Sequence, residues 1–405
     1  MAGSLSSEQL QPVRGSRDFS GPEKKRRDMV VQLLRSRFET YAFEPLETPA
    51  MERLEVLSSK FAGGEGILKE IFKATDQGGR ELGLRYDLTV PLCRFVAQNP
   101  RMPFPFKRYA IAPVWRDGPL KTGRYREFYQ CDADIVGAKS GLADAEIIKL
   151  ACDAFDALFP SNYVMRVGNR KILDGILEYA AVPGEKKLSA ILAIDKLPKI
   201  GAENVEKELL GIGIDGRAAK KILELISIEG KNGEIVAKLE KSLAGISVAT
   251  DGFSELKLLL SYIDAFGVSD KVRFSPSLAR GLNYYTGTIF EAFIIEGKIT
   301  SSIAAGGRYD DLIGNFAGAR EKIPAVGISF GLDVICEALK DGVGITSNFQ
   351  KPPDVYVCIA AKEQDAELEN YAIRIVGNFR KANIPSFLDL SQRSIGKNLE
   401  FASKK

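Results

Sequence analysis

The 405-residue chain contains no histidine. It has no imidazole general base, no histidine-activated nucleophile and no histidine metal ligand. Any catalysis rests on arginine, lysine, carboxylates, tyrosine, cysteine, bound ions or the substrate itself. Cysteine is sparse: Cys93, Cys131, Cys152, Cys336 and Cys358 are scattered, odd in number and include no CxxC pair. That pattern argues against a disulfide framework and a zinc site, so no metal-binding residues are assigned. It fits a reducing compartment, and a cytoplasmic location is expected. No apolar run approaches the roughly 18 residues that span a membrane, so no membrane partner is expected. Met1 to Gln11 is polar and lacks the hydrophobic segment of a secretory signal. An excess of one charge sign is also missing. With 56 Lys and Arg against 53 Asp and Glu the net charge is +3, so nucleic-acid binding would have to come from local patches.

What is present reads as a soluble globular chain, 45% hydrophobic and 27% charged, long enough for two or three domains. Pro22 starts an amphipathic helix over 23–41, followed by an extended, proline-punctuated stretch at 43–49. Residues 70–74 and 82–85 read as strands paired around the turn Asp76-Gln77-Gly78-Gly79. A helix is expected over 87–97, strands over 107–114 and 127–136, and a helix over 143–159. Residues 185–262 turn Lys-, Glu-, Leu- and Ile-rich with helical periodicity, which suggests an inserted helical module at 185–250. Strand signals return at 272–276, 288–295, 300–305 and 326–330, with a helix over 332–339. A polar linker at 348–353 precedes a βαβα pattern over 354–405, which suggests a small parallel sheet. The main body is therefore expected to be α+β. It comprises a first core part at 1–184, the helical module, and a second core part at 251–347.

Two stretches carry the chemistry. Arg280-Gly281-Leu282-Asn283-Tyr284-Tyr285-Thr286-Gly287 and Gly123-Arg124-Tyr125-Arg126-Glu127-Phe128-Tyr129-Gln130 each place arginines beside aromatics and glycines. Glycine lets a ligand approach the backbone. Arginine forks match phosphate and carboxylate oxygens, and aromatic faces stack. The pair points to a flat, anionic ligand such as a nucleotide. Either stretch alone also fits a basic hairpin on a solvated face.

From about Val13 to Lys405 the chain resembles the class II histidyl-tRNA synthetases. Arg14 to Phe19 resembles the family's opening segment, and Phe43 to Leu57, around Pro49, its motif 1. Arg116 to Asp134 resembles motif 2, and Gly327 to Ile335 motif 3. Arg280 to Glu291 and Ala304 to Asp310 resemble the two histidine signatures. The wording at 123–130 is closer to the eukaryotic and archaeal branch.

The resemblance implies an antiparallel class II sheet flanked by helices. It also implies ATP-dependent activation of L-histidine, with Mg²⁺, and transfer to tRNA(His) by a homodimer. Arg116 and Arg280 would be catalytic, facing the α-phosphate and the histidine carboxylate. Glu127 would accept from the adenine amino group and Phe128 would stack on the ring. Asp87, Thr89 and Gln130 would hold the α-ammonium. Asp134 and Tyr285 would read the imidazole nitrogens, with Tyr284 lining the pocket. Because Tyr284 and Tyr285 are adjacent, a strand would send them to opposite sides.

Two positions depart from the family pattern. Val334 stands where an arginine usually packs on adenine and the γ-phosphate, and Asn283 where the signature usually has Asp. Both favour a second reading, a histidine- and nucleotide-binding regulatory relative that does not charge tRNA. The family's anticodon-binding domain would continue beyond 354–405 with more strands. That segment is therefore expected to be the least stable part, with tRNA charging depending on it more than adenylate formation does.

Overall fold

The computed structural model describes residues 6–59, 68–120, 125–280, 284–318, 322–345, 355–359, 366–390 and 394–403. One compact unit comprises Met1–Ser20 with Arg26–Thr346, the other Gly21–Lys25 with Ser347–Lys405. The linker expected at 348–353 and the signature residue Asn283 lie outside the described residues.

The strands are β1 (Glu44–Pro45), β2 (Met51–Arg53), β3 (Lys73–Thr75), β4 (Glu81–Leu84), β5 (Phe106–Trp115), β6 (Glu127–Val136), β7 (Tyr163–Asn169), β8 (Val272–Phe274), β9 (Thr288–Ile294), β10 (Ala304–Arg308), β11 (Ala325–Gly331), β12 (Val355–Val357) and β13 (Ser386–Leu388). The first helices are α1 (Gly21–Thr40), α2 (Leu54–Leu57), α3 (Thr89–Gln98), α4 (Leu142–Leu158) and α5 (Arg170–Tyr179). The helical stretch follows as α6 (Gly184–Ile194), α7 (Leu197–Gly211), α8 (Gly216–Ile226), α9 (Asn232–Ser242) and α10 (Ser247–Ala265). Then come α11 (Leu312–Ala317), α12 (Leu332–Lys340), α13 (Ala366–Lys381) and α14 (Ile395–Ser403).

An eight-stranded sheet in the order β1-β5-β6-β11-β10-β9-β7-β8 forms the body. Its five central pairings are antiparallel, and the edge pairs β1·β5 and β7·β8 are parallel. Local chemistry builds these elements. Arg27, Val30, Leu34 and Phe38 recur at helical spacing and are the buried stripe of α1. Asp76 Oδ1 accepts from the amides of Gly78 and Arg80, both at 2.9 Å, closing the β3–β4 turn. Asn169 caps α5 by accepting from Lys171 N at 2.9 Å, and Asp215 caps α8 through Arg217 N at 2.9 Å.

The two faces of the sheet differ. One packs on α1, α4 and α12 through apolar side chains. Phe330 of β11 meets Phe38 of α1 at 5.8 Å and Phe155 of α4 at 5.4 Å between ring centroids. Registered pairs place Arg108, Asp134, Gly327, Gly307 and Ile289 in one row across the opposite face. Ala110, Asp132, Ser329, Ala305 and Glu291 form the next row. Small residues interleaved with charged ones leave a hollow over the central strands.

Three elements differ from the sequence reading. The strand expected at 300–305 lies at Ala304–Arg308, because Gly306 and Gly307 are inside it. Glycine is a poor strand former, but here bulk is the problem. A Cβ on Gly306 would sit 2.0 Å from Gly327 O. Neither β7 nor α5 is anticipated by periodicity. β7 mixes Arg166, Gly168 and Asn169 with apolar residues and owes its strand state to pairing on both sides. In the second unit β12 and β13 pair in parallel, as the βαβα pattern implies.

Gly306→Ala is expected to cost about 1–3 kcal/mol by overpacking. Gly211→Ala, at a helical position with nothing within 4 Å, should gain about 0.4–1 kcal/mol. Urea melts of both check this, and equal midpoints would contradict the crowding at β10.

Candidate active site

The hollow is a cavity of about 150 Å³. The structure brings Asp87, Thr89, Arg116, Gln130, Asp134, Arg280, Tyr284 and Tyr285 together around it, residues spread over nearly 200 positions of sequence. Glu127 and Phe128 do not line it. Glu127 is exposed at the outer end of β6. Phe128 continues the cavity face of β6 outward, and the Arg116 guanidinium lies 5.1 Å from its ring centroid. Tyr284 and Tyr285 sit outside any strand, so the alternation that a strand would impose does not apply. Both rings line the cavity, 4.8 Å apart, and Tyr284 meets Tyr309 edge-on at 5.9 Å.

The floor of the cavity is a polar network. Arg108 is wholly buried; its Nη2 donates to Leu88 O at 3.0 Å and lies 2.8 Å from Asp134 Oδ2. Tyr309 donates its hydroxyl to Asp134 Oδ1. Glycine makes room for this carboxylate, since a Cβ on Gly327 would sit 1.9 Å from Asp134 Oδ1. A Cβ on Gly307 would be 2.9 Å from the Tyr285 ring. Along β6, Gln130, Asp132 and Asp134 alternate onto the cavity face.

The rim carries the basic groups. Arg116 Nε donates to Tyr86 O at 2.9 Å, which aims the side chain from the end of β5 across the cavity. Arg280 pairs with Glu291 of β9, while its buried Nε has no hydrogen-bond partner. Burial opposes the Arg280 charge most strongly, but Glu291, Tyr285 and Tyr284 together more than offset it and the pKa is raised. Two arginines and three aspartates line the cavity together, offering groups of both signs to an amino acid's carboxylate and ammonium.

Sequence reasoning missed Asp132, Arg108, Ser329 and Tyr309. Strand alternation from Gln130 and Asp134 was the available signal for Asp132. For Arg108, only its pairing opposite Asp134 reveals the role. Val334 turns into the core beside Gly331, with 3.7 Å between its Cγ2 and a Cβ built on that glycine. Asp333 anchors the N-terminal segment instead. It accepts from Arg27 at 2.6 Å, Arg17 at 3.3 Å and Tyr129 N at 3.0 Å. Arg308, inside the second signature, reaches away from the cavity to Asp144 and to the carbonyls of Ala138 and Ser140, both at 3.0 Å.

This sheet order, with a polar cavity on the open face and arginines at its rim, is the catalytic architecture of class II aminoacyl-tRNA synthetases. A family model described as histidyl-tRNA synthetase matches residues 15–335, and the chain belongs to that family. It is 40% identical to histidine–tRNA ligase 1 of Bacillus cereus over 397 residues, 98% of this chain and 88% of the relative. It is 40% identical to the histidine–tRNA ligase of Aeropyrum pernix over 385 residues, 95% and 85% of the two chains. The crystal structure of histidyl-tRNA synthetase from Nostoc sp. PCC 7120 aligns with a TM-score of 0.81 at 32% identity, over 98% of this chain and 89% of that one. An ATP phosphoribosyltransferase regulatory subunit/histidyl-tRNA synthetase from Bacillus halodurans C shares the fold, with a TM-score of 0.81 at 20% identity and 98% coverage of each chain.

Burial pushes the Asp87 carboxyl up to about 6, against the Val90 amide and Arg116. It pushes Asp132 up to about 7, against Arg108. Both values exceed the ordinary 3.8, so the folded state holds protons that the unfolded chain releases. Their contribution to stability is full below about pH 4 and is lost as pH rises through about 6 to 7. The ligand-free Asp87→Asn/Asp132→Asn protein should lose less thermal stability than the parent between about pH 5 and pH 8. Identical melting-temperature slopes in the two proteins would refute this assignment.

Proposed function

We propose that the cavity activates L-histidine with ATP and that the chain then transfers the histidyl group to tRNA(His). The observation that carries this reading is the meeting of acidic, amide and tyrosine groups with Arg116 and Arg280 in one cavity. Family membership and relatives named histidine–tRNA ligase over nearly the whole chain support it.

In the first step a histidine carboxylate oxygen attacks the α-phosphorus of ATP and pyrophosphate leaves. In the second a tRNA terminal hydroxyl attacks the carbonyl carbon and AMP leaves. Asp87, Thr89 and Gln130 hold the α-ammonium, Asp134 and Tyr285 read the ring nitrogens, and Tyr284 closes the side. Arg116 and Arg280 stabilise charge developing on the α-phosphate and keep the carboxylate in line. Glu127 and Phe128 receive the adenine. The first step asks no side chain to carry a proton, which suits a chain without histidine.

Mg²⁺ arrives with the nucleotide. Among the described residues no group of His, Cys, Asp and Glu is arranged to hold a metal ion by itself. No described helix is long and apolar enough to cross a membrane, and a cytoplasmic location is part of the proposal. So is a homodimer through the segment around Pro49, where β1 ends the large sheet and β2 the small one. Placement in the eukaryotic and archaeal branch rests on 123–130 alone, and the relatives do not support it: the Bacillus cereus ligase matches at 40% over 397 residues and the Aeropyrum one at 40% over 385. Val334 favours the second reading, a regulatory relative that binds histidine without charging tRNA.

Histidine-dependent ATP–pyrophosphate exchange separates the two, and its absence would leave the regulatory reading. Arg116→Ala and Arg280→Ala are each expected to slow single-turnover adenylate formation about 100- to 1000-fold. Rates within a few-fold of the parent would remove these arginines from the α-phosphate. Sedimentation at micromolar concentration should give a dimer mass, and a monomer there would contradict the proposed interface.

A further inference from the structure

β6 outruns one of its neighbours. β11 pairs with it from Val136 to Gln130 and ends there, while β5 follows it on to Glu127. Among the described strands, the outer end of β6, which carries Glu127 and Phe128, therefore has a partner on one side only. A strand edge of this kind needs other groups to satisfy its backbone. Two groups stand in for β11. Asp333, at the start of α12, accepts the Tyr129 amide on Oδ2 at 3.0 Å. In the N-terminal segment the Gly15 carbonyl accepts the amides of Arg126 at 3.0 Å and Glu127 at 3.4 Å.

Arg17 joins these two groups. Its Nη2 donates to Asp333 Oδ1 at 3.3 Å, and its Nη1 to Glu337 Oε1 at 3.2 Å, one turn further along α12. The same guanidinium lies 4.0 Å from the centroid of the Tyr125 ring, just ahead of Arg126. Arg27 of α1 supports the arrangement, donating to Asp333 Oδ1 at 2.6 Å and lying 3.8 Å from the Phe19 ring centroid. Gly15 has φ +92°, and a Cβ there would sit 2.7 Å from Arg126 Cγ, so this close approach requires glycine. Arg126 O in turn accepts from Arg116 N at 2.8 Å. The N-terminal segment thus braces the strand pair that presents Arg116, Glu127 and Phe128.

We propose that residues 15–17 serve as a surrogate edge strand for the outer end of β6, and that Arg17 is a positioning residue for the nucleotide. This rests on the assignment of Glu127 and Phe128 to the adenine and adds what holds them. Arg17 does not line the cavity, so it acts through the backbone at 126–129. Val334 packs on the core and offers the adenine no cation from α12, which leaves the ring dependent on the β6 side. Without the Arg17 fork, the Gly15 carbonyl loses its tie to α12 and the outer end of β6 gains freedom. Bound ATP must then restore the order, and the cost appears as weaker ATP binding.

Steady-state ATP–pyrophosphate exchange tests the brace. Arg17→Met keeps the stem and removes the fork. It should raise the KM for ATP about 10-fold and leave kcat and the KM for histidine within about two-fold. An ATP KM within about two-fold of the parent, or equal losses in all three parameters, overturns the proposal. Arg17→Lys keeps the charge but not the paired contacts, and serves where the methionine variant does not fold. Its ATP KM should rise about three-fold with the same selectivity, and an unchanged value overturns the proposal. A double-mutant cycle separates positioning from general loosening. In the Phe128→Ala protein, Arg17→Met should raise the ATP KM by no more than about two-fold further, because the contact it positions is gone. A full additional 10-fold or so overturns the role. If Phe128→Ala and Glu127→Ala each leave the ATP KM unchanged, the adenine assignment fails and the brace with it. That result is distinct from one in which those two variants weaken ATP and Arg17→Met does not.

Discussion

The arrangement depends on burying Arg108. A guanidinium with no exposed surface carries a desolvation cost of several kcal/mol, and a single ion pair seldom offsets that by a wide margin. Here the charge is divided. Nη2 serves both Leu88 O and Asp134, while Nε and Nη1 have no hydrogen-bond partner. The contact to Leu88 is the structural return. Leu88 lies between Asp87 and Thr89, so Arg108 fastens the turn before α3 to the floor of the sheet. Replacing Arg108 with an apolar residue would strand Asp134 beside Asp132. Two neighbouring carboxylates with no cation would then share one desolvated site, and one of them would have to stay protonated.

That floor could not form if the neighbouring strands carried ordinary side chains. Gly327 yields its volume to the Asp134 carboxylate, Gly307 to the Tyr285 ring, and Gly306 to the β11 backbone. The helix-covered face takes the opposite composition, with Phe330, Phe38 and Phe155 packed in one cluster. One sheet therefore does two jobs. The apolar side supplies burial at roughly 25 cal/mol per Å², and the stability gained there holds together a polar side that by itself is costly.

The sequence reading succeeded wherever one local pattern decides the outcome. The stripe of α1, the β3–β4 turn at Asp76 and the β5 and β6 strands all follow from spacing. So does the run of helices at 184–265. It failed where a distant partner decides. β7 is a strand because β8 and β9 flank it, and β10 runs through two glycines because β11 comes too close for a Cβ. Most of the candidate site was readable as motifs, because each motif keeps its residues contiguous. Asp132 and Arg108 were hidden for a different reason. Their significance lies in which oxygens and N–H groups are already used, and that accounting exists only once Ser329, Tyr309 and Leu88 are in place. Asp333 illustrates the same limit. As an acidic residue followed by valine it reads as a weakened motif, yet in the fold it joins Arg17, Arg27 and the Tyr129 amide.

A chain without histidine still needs groups whose charge responds near neutrality if it is to bind a ligand with a titrating ring. The fold makes them from aspartate. Removal from water lifts Asp87 to about 6 and Asp132 to about 7, into the range a histidine would occupy. The consequence differs in sign from that of an imidazole. A histidine of the protein would gain a positive charge as pH falls and repel an ammonium or an imidazolium, whereas these carboxyls only become neutral. Below neutrality the cavity loses attraction for a cation and its arginines are left in excess, and above it the carboxylates restore the balance. Because Arg108 is always protonated, the balance is set by the acids alone, and the ligand's own cation completes it.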